Sequence, residues 1–147
     1  GRPGIDRFFM VQHVRQIHWT EDGWPMVSPQ RYAAEEETSV AESEIAGDWE
    51  QIVLGYEVVP GYADEQTNPG FQAAMDLQIN TDGTVSGAST GTWSYSAPWL
   101  TFTIEGESAP FKLKVERGRD WEKEVASTIL FTGINADGVA YWGKKVD

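Results

Sequence analysis

Cysteine is missing from the sequence, which removes disulfide staples, thiol nucleophiles and thiolate metal sites together. Cationic side chains are scarce: 11 Lys and Arg stand against 23 Asp and Glu, a formal net charge of −12. A surface that neutralises phosphates needs the opposite balance, which argues against nucleic acid and against anionic membranes as partners. No apolar run approaches the ~20 residues of a spanning helix. Position 1 is Gly rather than Met and no signal peptide is present, so the chain reads as a mature or trimmed piece of a longer, exported protein. Helical patterning is absent too, outside one acidic stretch at 33–44.

Aromatic residues are abundant instead, with seven Trp, five Tyr and six Phe in 147 residues. Tryptophan at this density serves large β cores, sugar platforms or both. The length suits one domain, able to bury about 68–70% of its unfolded surface without a staple. The stretch "RFFMVQHVRQIHWTEDGWPMVSPQRY" opens with strand alternation in which neither row is purely polar. Glu21, Asp22 and Gly23 form a hairpin turn, with Gly at the positive-φ position. Trp24, Met26 and Val27 begin the return arm, which Pro25 confines to an edge or a bulge. "AAEEETSVAESE" follows, with five glutamates and no base, and reads as a solvated tether or short exposed helix. These features divide the chain into a β-hairpin at 1–32, an acidic linker at 33–44 and a β-domain at 45–147.

From Ile45 onward the pattern is all-β. "GDWEQIVLGYEVV" is a strand placing Ile52, Leu54, Tyr56 and Val58 on one face. Met75, Leu77 and Ile79 share a face in the next strand. Val85, Gly87, Gly91, Trp93 and Tyr95 share another, and Leu100, Phe102 and Ile104 a third. Phe111, Leu113 and Val115 follow, and "ILFTGINADGVAYWGKK" closes as a hairpin turning at 135–138. About eight short strands with one apolar face each predict a small up-and-down, lipocalin-like barrel, because closure removes the exposed edges. A two-sheet sandwich is the alternative.

Two segments carry a resemblance. "VRQIHWTEDGWPMVSPQRY" (14–32) resembles the end of the catalytic five-bladed propeller of the endo-α-1,5-L-arabinanases of glycoside hydrolase family 43. "GDWEQIVL" (47–54) and "ILFTGINADGVAYWGKK" (129–145) resemble the opening and closing strands of the small C-terminal β-barrel domain of those enzymes. The resemblance implies that Trp19 and Trp24 belong to the propeller's last hairpin. It also implies that the catalytic carboxylates lie on earlier blades, for none of those motifs occurs here and no catalytic residue is carried over. A parent that degrades plant cell-wall polysaccharide, arabinan or a related polymer, outside the cell or in a periplasm is the implied setting.

Candidate sites follow from the aromatics. Trp49 and Trp93, each in a Gly-x-Trp, read as barrel core together with Phe102 and Trp142. Flat rings outside clean alternation suit sugar stacking: Tyr62 and Phe71 in the Gly/Asn/Pro-rich loop, Trp99 after Pro98, and Trp121. Their polar companions are Asp64, Glu65, Gln66, Asn68, Arg119, Asp120 and Glu122, and loop positions favour function. One Trp face hiding ~100 Å² contributes about 2–3 kcal/mol before ordering costs, which suits a weak tethered module. Metal binding finds no support. His13 and His18 fall on opposite strand faces, and "NTDGT" and "NADG" are complete as turns without calcium. Neither a carboxylate pair nor a Ser-His-Asp order stands out, and no cofactor is expected. The leading reading is a non-catalytic, carbohydrate-binding or propeller-buttressing module. A barrel enclosing a small apolar ligand and a purely structural interaction domain are the alternatives.

Overall fold

The computed structural model describes residues 12–55 and 73–146. A two-stranded hairpin comes first, β1 (Ile17–Trp19) and β2 (Pro25–Val27). Eight further strands follow: β3 (Gly47–Leu54), β4 (Met75–Ile79), β5 (Thr84–Gly87), β6 (Gly91–Ser96), β7 (Trp99–Ile104), β8 (Phe111–Asp120), β9 (Val125–Ile134) and β10 (Ala140–Lys145). They form a closed antiparallel barrel in up-and-down order, the expected architecture rather than a sandwich. Closure is made by β10 against β3, in register from Ala140 opposite Leu54 to Lys145 opposite Trp49. Alternating strand direction fixes two ends. The lower end holds the start of β3 and the β4–β5, β6–β7 and β8–β9 turns; the upper end holds the β5–β6, β7–β8 and β9–β10 turns.

An eight-stranded barrel is just wide enough for side chains to fill. Here aromatic rings run along it from Trp49 to Tyr141. Trp49 lies 5.1 Å from Phe131 between centroids, and Phe131 lies 5.7 Å from Phe102. Phe102 meets Phe111 edge-on at 6.2 Å, and Phe111 lies 4.7 Å from Tyr141. Such pairs contribute about 0.5–1.5 kcal/mol each beyond their buried area. The ring of Phe131 reaches across to β10 because residue 143 is glycine; a Cβ there would stand 2.1 Å from the Phe131 Cζ.

Two expected faces are corrected. On β3 the buried residues are Trp49 and Gln51, with Val53 packed beside them, whereas Ile52 and Leu54 are only half-buried. Period-two alternation permits one choice, and the bulk of Trp49 outweighs the two aliphatics three and five positions on. Ile52 instead stands beside Trp142 on the outer surface. Met75, expected inward, is exposed at the upper end, while Leu77 and Ile79 of the same strand are buried. Tyr56 and Val58 lie outside the described residues.

The lower end is stoppered by the chain that enters β3. Val40 and Ile45 are buried in the core cluster, on either side of a short 3-10 turn at Glu42–Glu44. The Trp49 indole donates to the Ile45 carbonyl at 2.9 Å, and the Tyr95 hydroxyl donates to the Val40 carbonyl at 3.0 Å. Arg117 binds both Glu44 carboxylate oxygens at 2.9 Å. The last part of the glutamate-rich stretch is therefore a plug rather than a free tether. At the upper end Glu107 accepts from the Tyr141 hydroxyl at 2.6 Å and from the Asn135 amide. Burial first, then this carboxylate, drives the Tyr141 phenol far above its ordinary value.

The hairpin lies on its own barrel. On β9, Thr128 to Gly133 are buried without a break, because the inner row faces the core and the outer row lies under β2. The Thr132 hydroxyl donates to the Val27 carbonyl at 2.9 Å, and Met26 is buried. Lys112 meets Glu21 at 2.7 Å, and the Arg15 guanidinium stacks 5.2 Å over Trp142. Gly23 takes φ +89° in the turn, as its position required. Replacing Gly143 by Ala should overpack the Phe131 contact and lower the unfolding free energy by about 1–3 kcal/mol, measured as the shift in urea midpoint.

Candidate functional site

Where the hairpin and the glutamate-rich segment meet β8 and the β6–β7 turn they border an open cleft of about 570 Å³. Its barrel wall follows from strand parity. Phe111, Leu113 and Val115 face the core, so Lys112, Lys114 and Glu116 face outward. The opposite wall comes from β1, where pairing sets His18 beside Met26 on the barrel side. His18 Nε2 meets Glu116 Oε2 at 2.6 Å, with the Glu116 side chain only 10% exposed. The second oxygen of that carboxylate, Oε1, is buried with no hydrogen-bond partner. Glu35, on the third wall, repeats the situation: Oε2 accepts the Ala33 N–H at 3.1 Å, and Oε1 is buried without a partner. An unsatisfied buried acceptor costs about 1–3 kcal/mol, more when charged. Glu44, paired with Arg117, is held below the usual carboxylate range by the Ala41 N–H and then by Arg117.

The sequence-derived candidates are distributed differently. Trp99 is the first residue of β7, on its outer face, with the Lys114 ammonium 5.7 Å from the ring centroid. Trp121 begins the β8–β9 turn, with the Arg31 guanidinium at 4.5 Å and that of Arg119 at 4.9 Å over its ring. Its indole N–H donates to the Arg31 carbonyl at 3.0 Å. Both tryptophans are at the lower end. Tyr62, Asp64, Glu65, Gln66, Asn68 and Phe71 lie outside the described residues. Of the expected core residues, Trp49 and Phe102 are fully buried and Trp93 packs partly buried against the cluster. Trp142 instead lies on the outer face beneath Arg15, since inward Tyr141 sets the parity of β10. Among the described residues no group of His, Asp and Glu is placed to hold a metal. Asp82 Oδ1 and Asn135 Oδ1 accept hydrogen bonds that close their own turns. Among the described residues no helix is long and apolar enough to cross a membrane.

A cluster not foreseen from the sequence binds the β8–β9 turn to β10. The nearly buried Lys144 ammonium contacts Asp120 at 2.9 Å, Glu122 at 3.2 Å and Glu50 at 3.3 Å, and Lys123 meets Glu50 at 2.7 Å. Asp120 also caps its turn, accepting the N–H groups of Glu122 and Lys123. Burial alone would raise the Asp120 carboxyl, yet Lys144 and those N–H groups hold it below its ordinary value. Burial would likewise lower Lys144, and its three carboxylates hold it above.

The sign of the pH dependence follows. Asp120, depressed in the fold, contributes stability above the unfolded carboxylate value of about 3.9 and loses it as pH falls through the folded value. Lys144, raised in the fold, contributes fully below about 10.4 and loses this as pH rises through its folded value. Lys144→Met should therefore cost about 3–5 kcal/mol near neutral pH, because Asp120 is left buried and unpaired, and the loss should shrink in acid; urea unfolding against pH measures both. Trp121→Ala should free residues 28–36 from the barrel, seen as faster proteolysis after Arg31, with the barrel's melting temperature lowered by only a few degrees.

Comparison with known proteins places this geometry. The model of a C-terminal lipocalin-like domain matches residues 29–143. The extracellular endo-α-(1→5)-L-arabinanase 2 of Bacillus subtilis is 28% identical over 134 residues, covering 90% of this chain and 26% of that protein. An extracellular endo-α-(1→5)-L-arabinanase of Thermotoga petrophila is 27% identical over 146 residues, covering 99% of this chain and 29% of its own length. Among solved structures, a glycoside hydrolase family 43 protein of Bacillus licheniformis superposes with a TM-score of 0.75 at 26% identity, covering 90% of this chain and 28% of that one. The Thermotoga petrophila endo-1,5-α-L-arabinanase superposes at 0.68 and 25% identity, with the same coverage of 90% and 28%. The chain thus spans less than a third of the length of these relatives. With the closed eight-stranded barrel and a match over most of its length, the chain belongs to the family of C-terminal lipocalin-like domains of glycoside hydrolase family 43.

Proposed function

We propose that the chain is an accessory module of a secreted arabinan-degrading hydrolase, buttressing a catalytic domain and supplying no bond-cleaving group itself. The two faces of the hairpin support this reading. One face, with Met26 and His18, is seated on the barrel. The other presents Ile17, Trp19 and Trp24 to solvent at 56%, 62% and 66% exposure. Apolar rings held outward on a short, well-anchored hairpin suit a protein interface, and the named activities of the relatives make an arabinan-cleaving domain its natural occupant.

Weak polysaccharide holding on Trp99 and Trp121 has less in its favour. Cationic side chains already lie over both rings, and stacking a sugar there would displace them. The enclosed apolar ligand fares no better, because core rings fill the barrel between Trp49 and Tyr141.

Mixing this chain with a relative's catalytic portion, expressed without its C-terminal domain, tests the buttress. The expected result is a higher melting temperature for the catalytic portion, lost with the Trp19→Ser/Trp24→Ser double variant. Arabinan incubated with this chain alone should release no reducing sugar. Turnover by the chain, or an unchanged melting temperature with the unaltered chain, overturns the reading.

A further inference from the structure

We propose that the open hollow beside Trp121, at the lower end of the barrel, binds a small hydroxy-carboxylate of the uronic-acid kind, its carboxylate received by Arg31 and Arg119. This site is independent of a buttressing role for the hairpin, which uses the outward rings of Trp19 and Trp24.

The two guanidiniums carry the argument. They lie 4.5 Å and 4.9 Å from the centroid of one indole ring, and both residues line a hollow of about 440 Å³. That volume falls within the range of about 300–1,000 Å³ of small-molecule sites. Among the described residues neither arginine forms an ion pair, whereas Lys112, Arg117, Lys123 and Lys144 each do. Acids are not in short supply, with 23 for 11 bases. Arg15 stands close by as well: burial first, then the charge of Arg31, lowers its guanidinium. Like charges gathered without a counter-ion repel one another, and an incoming anion relieves that repulsion. Arg119 Nε is buried without an acceptor, so the donors this side chain has for a ligand are those of its two terminal nitrogens.

Charge and shape narrow the class. Asp120 and Glu124 also line the hollow. Lys144 neutralises Asp120 at 2.9 Å, while Glu124 is exposed and has no ion pair among the described residues. Two uncompensated cations against one such carboxylate leave an excess of one positive charge, which suits a monoanion better than a phosphate dianion. The planar guanidinium fork matches a carboxylate. Glu124 accepts hydrogen bonds but donates none, so hydroxyl groups on the same ligand complement it. Such a ligand pairs with the cations that cover Trp121 and leaves them in place.

Titration calorimetry on the whole chain tests the assignment, with glucuronate as the probe beside glucose, acetate and inorganic phosphate. Glucuronate should bind saturably with a dissociation constant of about 0.1–1 mM at low salt. Arg31→Gln and Arg119→Gln should each weaken it at least about tenfold. Lys114→Gln, which removes one positive charge beside the other tryptophan, should leave it intact. Melting temperatures of the variants, taken alongside, confirm that the fold persists; should one arginine variant unfold, the other carries the test. Arginines that merely cover the indole would give no binding of glucuronate at about 20 mM, and that result overturns the proposal. So do glucose binding as tightly as glucuronate, acetate or phosphate matching it, and Lys114→Gln weakening it as much as the arginine variants. None of these bears on the melting-temperature experiment for the hairpin, so the two readings fail separately.

Discussion

The pairing of β10 with β3 is the constraint on which the remaining structure rests. Six residue pairs, from Ala140–Leu54 to Lys145–Trp49, convert a meander with two bare edges into a cylinder. Once the cylinder closes, its bore is fixed and the inward rows must fill it. Trp49, Phe131, Phe102, Phe111 and Tyr141 do so along its length. The same closure brings Lys144 and Glu50 together, adding a polar clasp on the outside of the seam. A glycine at 143 is part of this arrangement, since the large ring opposite leaves no room for a Cβ.

Outside the cylinder, a second layer forms on one side only. β9 carries apolar residues in both rows: its outward Leu130 is buried, and its outward Thr132 is bonded to Val27 of β2, whose Met26 is buried too. That double burial explains how a two-stranded hairpin, which alone is marginal in water, keeps a fixed position. It also makes the cleft. The hairpin touches β9 and the edge of β8, the glutamate-rich segment plugs the lower end, and the space between them is left open over Glu116.

Much of the architecture was legible from alternation. The inward rows of β7 and β8 and the Gly23 turn match what their residues imply, because their polar and apolar positions separate cleanly. β3 was misread where Trp49 and Ile52 compete, since periodicity cannot rank two apolar rows of opposite parity. Trp142 was misplaced for the same reason, an outer position concealed by a covering residue, Arg15, far away in the chain. The cleft left no trace at all. His18, Glu35 and Glu116 are separated by 98 positions at the extremes, and each taken singly reads as an ordinary surface residue. Trp99 and Trp121 did sit near the lower end as loop-flanking rings, but their cationic cover comes from Lys114, Arg31 and Arg119, contacts that strand order and turn geometry arrange.

By itself the sequence determined an all-β chain of short strands, its turns, the aromatic stock of its core and its acidic surface, because these depend on side-chain parity and composition. Tertiary structure alone decided which row of β3 is inside, that the glutamate-rich stretch ends as a plug, and that two carboxylates beside one cleft each keep an oxygen buried and unpaired. Those outcomes depend on distances across a closed surface, and local patterning carries no information about them.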